Sequence, residues 1–139
     1  MKAVLFRAHG GPVNLSYEDL PTPSIGSEDV LVRVKACALN HLDIWIREGN
    51  PAYPIPLPHV SGSDAAGIVE QVGNGVEGVT VGQRVFVSPG ISCWKCEQCL
   101  AGRDNMCRSY GLLGAMTHGS YAEYVKVPFR NVLPITENL

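Results

Sequence analysis

Four cysteines that lie close together in the chain, Cys93, Cys96, Cys99 and Cys107, constrain this sequence more than any other feature. Turns of two intervening residues can aim the first three sulfur atoms at one point, and the longer arm of seven residues brings the fourth sulfur back to it. A tetrahedral Zn²⁺ needs four thiolates at about 2.3 Å. The spacing therefore predicts a structural zinc lobe over residues 91–108, in which protein atoms fill every coordination position and none is left to activate water.

Two other uses of these cysteines remain open. An iron–sulfur cluster also takes four cysteines, although this spacing differs from the ferredoxin patterns. Disulfides are the second, but an odd total of five cysteines, four of them crowded together, favours a metal in a reducing compartment. The fifth, Cys37, lies inside the strand-like run 34–39 and is predicted to be buried and inert. Lys95, Arg103 and Arg108 are expected to balance the charge of the thiolates.

Length and charge exclude several classes of protein. A chain of 139 residues has the size of one domain that can bury a core without disulfides. Its 11 Lys and Arg against 13 Asp and Glu give a net charge of −2, which disfavours nucleic acid and anionic lipid as partners. No apolar run approaches the length of a signal peptide core or a membrane span. A cytoplasmic protein without nucleic-acid or membrane partners is therefore expected.

Short β-like segments separated by Gly and Pro dominate the rest of the chain. The 15 Gly and 10 Pro divide it in the rhythm of an antiparallel barrel or sandwich. The predicted strands cover residues 3–7, 15–19, 30–36, 67–72, 84–87 and 121–127. One segment has helical spacing instead, with Leu42, Trp45 and Ile46 on one face, Asn40 as its cap and Gly49 as its end. The predicted fold class is mainly β with a few short helices.

A Gly-x-Gly-x-x-Gly motif at Gly73, Gly75 and Gly78 has the spacing of a dinucleotide-binding fingerprint. That motif holds a pyrophosphate only where the glycines lead from a strand into a helix. Here a second strand-like run begins at Arg84, which leaves no room for a helix. The motif is therefore predicted to be a turn between two strands, and no cofactor-binding residues are assigned.

In their order along the chain, these pieces resemble the N-terminal half of medium-chain, zinc-type alcohol dehydrogenases and quinone reductases. The similarity is carried by VLVRVKACALNHLD at 30–43, GSDAAGIV at 62–69, VGQRV at 81–85, the four-cysteine lobe, and GSYAEY at 119–124. The resemblance implies a GroES-like β-barrel over residues 1–139 that carries substrate and catalytic residues. It also implies a separate Rossmann domain, absent from these residues, that binds NAD or NADP in a full-length homo-oligomer. Alone, the chain is expected to be inactive.

The resemblance also places the catalytic residues. Zinc-dependent members of the family have a Cys at the position of Asn40, a proton-relay residue at Leu42, an Asp at Asp43, a His at Ser63 and a Glu at Asp64. An amide and a hydroxyl are weak zinc ligands compared with a thiolate and an imidazole. The pattern at Asn40 and Asp43 is instead similar to that of the zinc-free quinone reductases.

A second, non-standard metal site remains an alternative. His41 and His59 lie near these positions in the sequence, and two His with Asp43 or Asp64 would form an acceptable catalytic zinc set. The ordinary alternatives are that His41 is solvated or caps the helix, and that His59 bonds to the backbone. Together, the candidate catalytic residues are Asn40, His41, Asp43, Ser63 and Asp64.

Three functions follow from these features. The first is the catalytic domain of an NAD(P)-dependent alcohol dehydrogenase-like oxidoreductase that acts on an alcohol or aldehyde, or of a zinc-free enone or quinone reductase. The second is a zinc-stabilised binding module. The third is an assembly protein without chemistry.

Overall fold

Antiparallel strands form most of the structure, a computed structural model that describes residues 1–51 and 54–136. The strands are β1 (Lys2–Phe6), β2 (Leu15–Asp19), β3 (Asp29–Ala36), β4 (Ala65–Val72), β5 (Arg84–Val87), β6 (Gly90–Ile91), β7 (Gly111–Leu112), β8 (Tyr124–Pro128) and β9 (Val132–Pro134). The helices are α1 (His41–Glu48) and the short α2 (Glu97–Leu100), with 3-10 turns at Pro12–Asn14, Asp104–Met106 and Phe129–Asn131. The predicted mainly-β fold with few short helices is confirmed.

The larger of two buried apolar clusters packs against a five-stranded antiparallel sheet of order β8-β3-β4-β5-β9, and a smaller one joins Ala3 and Leu5 of β1 to Val60. Val30 pairs with Val127 and Val32 with Val125, and all four side chains are at most 2% exposed. The inward positions of these strands carry β-branched residues, which fit a pleated and half-buried surface. Burial of each such side chain contributes roughly 1.5–3 kcal/mol, so this alternation is what specifies the sheet.

Strand β1 fastens two distant loops side by side. It pairs with β2, and its other edge donates Val4 N–H to Tyr121 O at 2.7 Å and Phe6 N–H to His59 O at 3.0 Å. The two loops also bond to each other next to these points, through Gly119 N–H to Val60 O at 2.7 Å and Tyr121 N–H to Ser61 O at 3.0 Å. Residues 59–62 and 119–121 therefore form one rigid unit.

The observed strands agree with most of the predicted ones. Residues 15–19 and 84–87 are strands as predicted, and the strands at 3–7, 30–36 and 67–72 differ only at their ends. The last predicted strand was wrong at its start, because β8 begins at Tyr124 and residues 119–121 bond to residues 60–62 instead. Helix α1 is confirmed, with Asn40 as its N-cap and Gly49 at φ 88° after its last residue.

The glycine motif is a turn, as predicted. Residues 73–83, all of them described, connect β4 to the antiparallel β5 without a helix. Gly73 donates its N–H to Asp29 O at 2.9 Å, and a Cβ at this position would lie 2.3 Å from the carbonyl oxygens of Gly26 and Ser27. The first glycine is therefore needed for close backbone packing and not for a phosphate.

The longest helix among residues 1–51 and 54–136 is α1, with eight residues, so none of the described helices could cross a membrane.

Candidate functional site

The four predicted cysteines converge in a lobe between β6 and β7. Their Sγ atoms all lie within 4.8 Å of one another. Cys96 Sγ is 3.5 Å from Cys99 Sγ and 4.0 Å from Cys107 Sγ, and Cys93 Sγ is 3.9 Å from Cys99 Sγ. Four sulfurs at about 2.3 Å from a tetrahedral Zn²⁺ would lie about 3.8 Å apart. The lobe therefore fits a structural zinc ion, and all five cysteines are free, so the disulfide alternative is wrong.

Backbone N–H groups donate hydrogen bonds to the sulfur atoms of the lobe and so favour thiolates, the form that binds a metal cation. Cys107 Sγ accepts the N–H of Cys93 at 3.3 Å and that of Ser109 at 3.4 Å. Backbone donors from Cys99 and Arg108 lower the pKa of the Cys96 thiol to about 6. Burial, followed by its bonds to the neighbouring thiols, raises the pKa of Cys99 to about 12. Without a cation, the pKa of one thiol is therefore lowered and that of its neighbour is raised. A dication at the centre would stabilise all four thiolates together.

The basic residues of the lobe lie at its rim. Arg108 pairs with Glu97 at 3.6 Å, and Arg103 donates to the side chain of Gln98 at 2.8 Å. Lys95 is exposed. The guanidinium of Arg130 lies 5.6 Å from the ring centroid of Trp94, and this cation–π contact links the lobe to the turn before β9. The predicted counter-charges therefore act from the surface, where solvent screens them.

Three of the predicted catalytic residues meet at the start of α1. Asn40 donates Nδ2–H to Asp64 Oδ2 at 2.8 Å and its backbone N–H to Asp43 Oδ2 at 2.7 Å. Asp43 is the third residue of the helix, where a carboxylate suits both the free N–H groups and the helix dipole. The same Asn40 is therefore held by one acid at its side chain and by another at its backbone.

Asp43 gathers donors from three parts of the chain. Besides the Asn40 N–H, its Oδ2 accepts Tyr121 Oη–H at 2.6 Å, and its Oδ1 accepts Gly62 N–H at 3.2 Å. Burial, the hydrogen bond to Asp43 and the charge of that residue raise the pKa of the Tyr121 phenol far above its usual value. The phenol therefore keeps its proton at neutral pH and acts as a donor.

The remaining predicted residues do not join this cluster in the same way. The Ser63 hydroxyl is buried next to Asp64 and has no hydrogen-bond partner among the described residues. His41 is exposed and packs its ring against Trp45 with the centroids 4.8 Å apart. His59 is 2% exposed, and its Nε2 lies 3.0 Å from Gly114 O.

This placement does not bring the residues of the alternative metal site together. His59 is directed at a backbone carbonyl and His41 at a tryptophan, so the two imidazoles do not face a common point. Within residues 1–51 and 54–136, the four cysteines form the only group of three or more His, Cys, Asp or Glu whose ligand atoms converge. Among the described residues, zinc therefore has one well-formed site, in the lobe.

A groove of about 960 Å³ opens beside this cluster, and it is lined mainly by apolar surface. Asn40, Asp43 and Tyr121 lie on its wall, together with Leu39 and Ile44. Cys37 also lines it and is exposed, so the prediction that it is buried was wrong. It comes after the end of β3, where the chain has left the sheet. An apolar groove with a few convergent polar groups is the usual form of a small-molecule site.

Sequence reasoning missed two residues of this site, Tyr121 and Ser120. Ser120 is 1% exposed and donates Oγ–H to the backbone oxygen of Asp64 at 2.6 Å. Both residues belong to the GSYAEY motif at 119–124, but nothing in a local pattern indicates that it contacts the start of α1. The resemblance to the family was the only available signal.

Comparisons with known proteins agree with this geometry. The alcohol dehydrogenase GroES-like domain model matches residues 26–137. An L-threonine 3-dehydrogenase of Rhizobium etli is 38% identical over 129 residues, which are 91% of this chain and 37% of that protein. The crystal structure of an NAD-dependent alcohol dehydrogenase superposes with a TM-score of 0.94 at 52% identity, covering all of this chain and 40% of that one. A cobalt- and zinc-bound thermostable alcohol dehydrogenase from Pyrobaculum aerophilum gives 0.89 at 40% identity, covering 96% and 41%.

The chain thus spans between 37% and 41% of the length of these relatives.

Proposed function

The chain belongs to the alcohol dehydrogenase GroES-like domain family, and we propose that it is the catalytic domain of an NAD(P)-dependent oxidoreductase acting on a small alcohol or carbonyl compound. The observation that carries the proposal is the convergence of Asn40, Asp43, Asp64 and Tyr121 beside a mainly apolar groove. These residues come from three separate segments of the chain. Packing of a hydrophobic core does not require polar side chains to converge at a groove, whereas a reaction site does require it.

The cysteine lobe has a supporting role in this proposal. Cys93, Cys96, Cys99 and Cys107 would hold one zinc ion with four sulfurs, which leaves no position for substrate. The ion would contribute to folding by fixing the loop between β6 and β7. The five free cysteines suit a reducing compartment such as the cytoplasm.

The described residues do not suit a catalytic zinc at the Asn40 site. Asn40 offers an amide that is already bonded to Asp64, and Ser63 offers a buried neutral hydroxyl. Both are poor donors for Zn²⁺ compared with thiolate or imidazole. The chemistry of this site is therefore derived from its own hydrogen-bond donors.

Asn40 is the group that we assign to the substrate. Its Nδ2 carries two hydrogens, and Asp64 takes one of them, so the other is available to an oxygen bound in the groove. A carbonyl oxygen that gains negative charge during reduction is stabilised by a donor held in place beforehand. Asp43 holds the backbone of Asn40 and Asp64 holds its amide, so the donor is in place before the charge develops.

A nicotinamide cofactor, when bound, supplies or accepts the hydride. The described residues contain no glycine-rich turn from a strand into a helix, since the motif at 73–78 connects two strands. We assign the cofactor to sequence that the relatives have and these residues do not. On this proposal the 139 residues alone have no turnover.

A second candidate is a metal-independent reductase of enones or quinones. The amide at Asn40 and the hydroxyl at Ser63 favour it, because reduction of an activated double bond needs only the cofactor and donors to the developing oxyanion.

A nicotinamide absorbance assay on the gene product that carries these residues tests both candidate functions. Matched secondary alcohols, aldehydes, enones and quinones would be supplied with each cofactor. NAD(P)-dependent turnover of one class supports the proposal, and no turnover of any class contradicts it.

A further inference from the structure

We propose that the loop at Ser120 and Tyr121 is a positioning element that holds Asn40 in place for the reaction, an inference that rests on the function proposed above. Neither residue is assigned a contact with substrate. They act through the two acids that hold Asn40, one acid each.

Tyr121 acts through Asp43. Its phenol oxygen lies 2.6 Å from Asp43 Oδ2, the same oxygen that accepts the Asn40 N–H at 2.7 Å. The phenol also lies 3.3 Å from Ala38 O, but it has a single proton and the shorter contact is to a carboxylate. A hydrogen bond to an ionised acceptor is roughly twice as strong as one between neutral groups. The phenol therefore fixes the carboxylate that fixes the backbone of Asn40.

Ser120 acts through Asp64. Its buried hydroxyl donates to Asp64 O at 2.6 Å, and Asp64 Oδ2 accepts Asn40 Nδ2–H at 2.8 Å. The serine holds the backbone of the residue whose side chain orients the amide. Adjacent residues of one loop thus control Asn40 from two directions.

The loop can serve this purpose because it is itself rigid. Its backbone bonds to residues 60–62 at three points, which include Ser120 N–H to Gly62 O at 2.9 Å. Val4 of β1 also donates its N–H to Tyr121 O at 2.7 Å. A Cβ on Gly62 would lie 2.6 Å from Ser120 Oγ and 2.7 Å from a ring carbon of Tyr121, so the loop has no space in which to shift. Precise placement of reacting groups needs such support, since a displacement of about 1 Å can cost 10²-fold in rate.

The test compares Tyr121→Phe with Tyr124→Phe. The first removes the hydroxyl that bonds to Asp43 and keeps the ring. The second removes a phenol hydroxyl three residues further on, for which the described residues provide no hydrogen-bond partner. Hydrogen exchange of the Asn40 and Gly62 backbone amides is followed by NMR in the 139-residue chain, and kcat and KM are measured in the active gene product.

Tyr121→Phe should speed exchange of both amides by about tenfold or more and should lower kcat by about 10- to 100-fold with KM nearly unchanged. Tyr124→Phe should change none of these quantities. A residue with only a structural role would lower the melting temperature but leave kcat of the folded enzyme intact. Unchanged exchange of the two amides, or an unchanged kcat, in Tyr121→Phe would overturn the inference.

The two proposals fail separately. If the wild-type gene product has no nicotinamide-dependent activity, the proposed function fails, and amide exchange still decides whether Tyr121 holds Asn40. If the wild type is active and Tyr121→Phe is equally active, the proposed function stands and the positioning role is wrong.

Discussion

The phenol oxygen of Tyr121 lies 2.6 Å from Oδ2 of Asp43, although 78 positions separate the two residues in the chain. This contact joins the loop before β8 to the start of α1. Asp43 would otherwise be an ordinary acid in the first turn of a helix, where its charge suits the dipole. With Tyr121 and Gly62 as further donors, it becomes the point at which three segments of the candidate site are fixed.

The crowding around Gly62 predicts a strong effect of a single methyl group. Gly62→Ala should destabilise the chain by at least about 3 kcal/mol, because it combines a strained φ of +102° with contacts below 3 Å to Ser120 and Tyr121. Gly78→Ala is the matched control, since Gly78 also has a positive φ but nothing within 4 Å of an added Cβ. It should cost only about 1–2 kcal/mol. Urea unfolding of both variants measures the difference, and equal losses would contradict the packing described here.

The cysteine lobe predicts a loss of zinc and of stability in Cys99→Ser. One of four sulfurs is removed from a site that needs all of them, so the zinc content should fall and the melting temperature should drop by about 4 °C or more. Cys37→Ser removes an exposed thiol that lies outside the lobe and should leave both quantities unchanged. Full zinc content and unchanged melting in Cys99→Ser would show that the lobe is not a zinc site.

Two histidines whose pKa is lowered in the folded chain, the buried His59 and its neighbour His118, predict that the chain loses stability in mild acid. Burial lowers the pKa of His59, and the neighbouring His118 and His9 lower it further; burial also lowers the pKa of His118. A histidine with a lowered folded-state pKa stabilises the fold above its unfolded pKa of about 6.5, and this stability is lost as the pH falls through that value.

The free energy of unfolding of the wild type should therefore decrease between about pH 7 and pH 5. His118→Gln should reduce this slope, because it removes one of the two groups, whereas His41→Gln leaves both in place and should keep it. Denaturant titrations at several pH values in excess zinc provide the measurement. A slope that both variants share with the wild type would rule out His118 as a cause of the pH dependence.

The assignment of Asn40 to the substrate predicts a catalytic effect without loss of the fold. Asn40→Ala in the active gene product should lower kcat by about 10²- to 10³-fold, the range for loss of one donor to a developing oxyanion. Asn74→Ala, in the exposed turn between β4 and β5, should leave the kinetics unchanged. Circular dichroism confirms that both variants are folded, and wild-type kinetics of Asn40→Ala would remove this residue from the reaction site.

Features that depend on neighbours in the chain could be predicted from the sequence. The spacing of the four cysteines, the cap and end of α1, and the strands at 15–19 and 84–87 are all local patterns, and the structure contains each of them. The same holds for the glycine turn, where the short distance to the next strand excluded a helix. Strands of two or three residues, such as β6, β7 and β9, carry too few alternations to be detected.

The contacts that build the candidate site could not be predicted in this way. Ser120 lies 56 positions from Asp64, and no local pattern indicates which serine or tyrosine will reach an acid so far away. The exposure of Cys37 was also mispredicted, because the apolar residues next to it in the sequence continue beyond the end of β3. Trp45 has the spacing of a buried helix face and is nevertheless 59% exposed, with the exposed ring of His41 packed against it.

We infer that zinc belongs to the four-cysteine lobe and that the Asn40 site works without a metal. Elemental analysis of the gene product, purified without chelator or added metal, decides between one and two metal sites. We expect one zinc ion per chain, lost in Cys99→Ser and retained in Asn40→Ala. Two zinc ions per chain, one of them lost in Asn40→Ala, would contradict it and place a catalytic metal at Asn40.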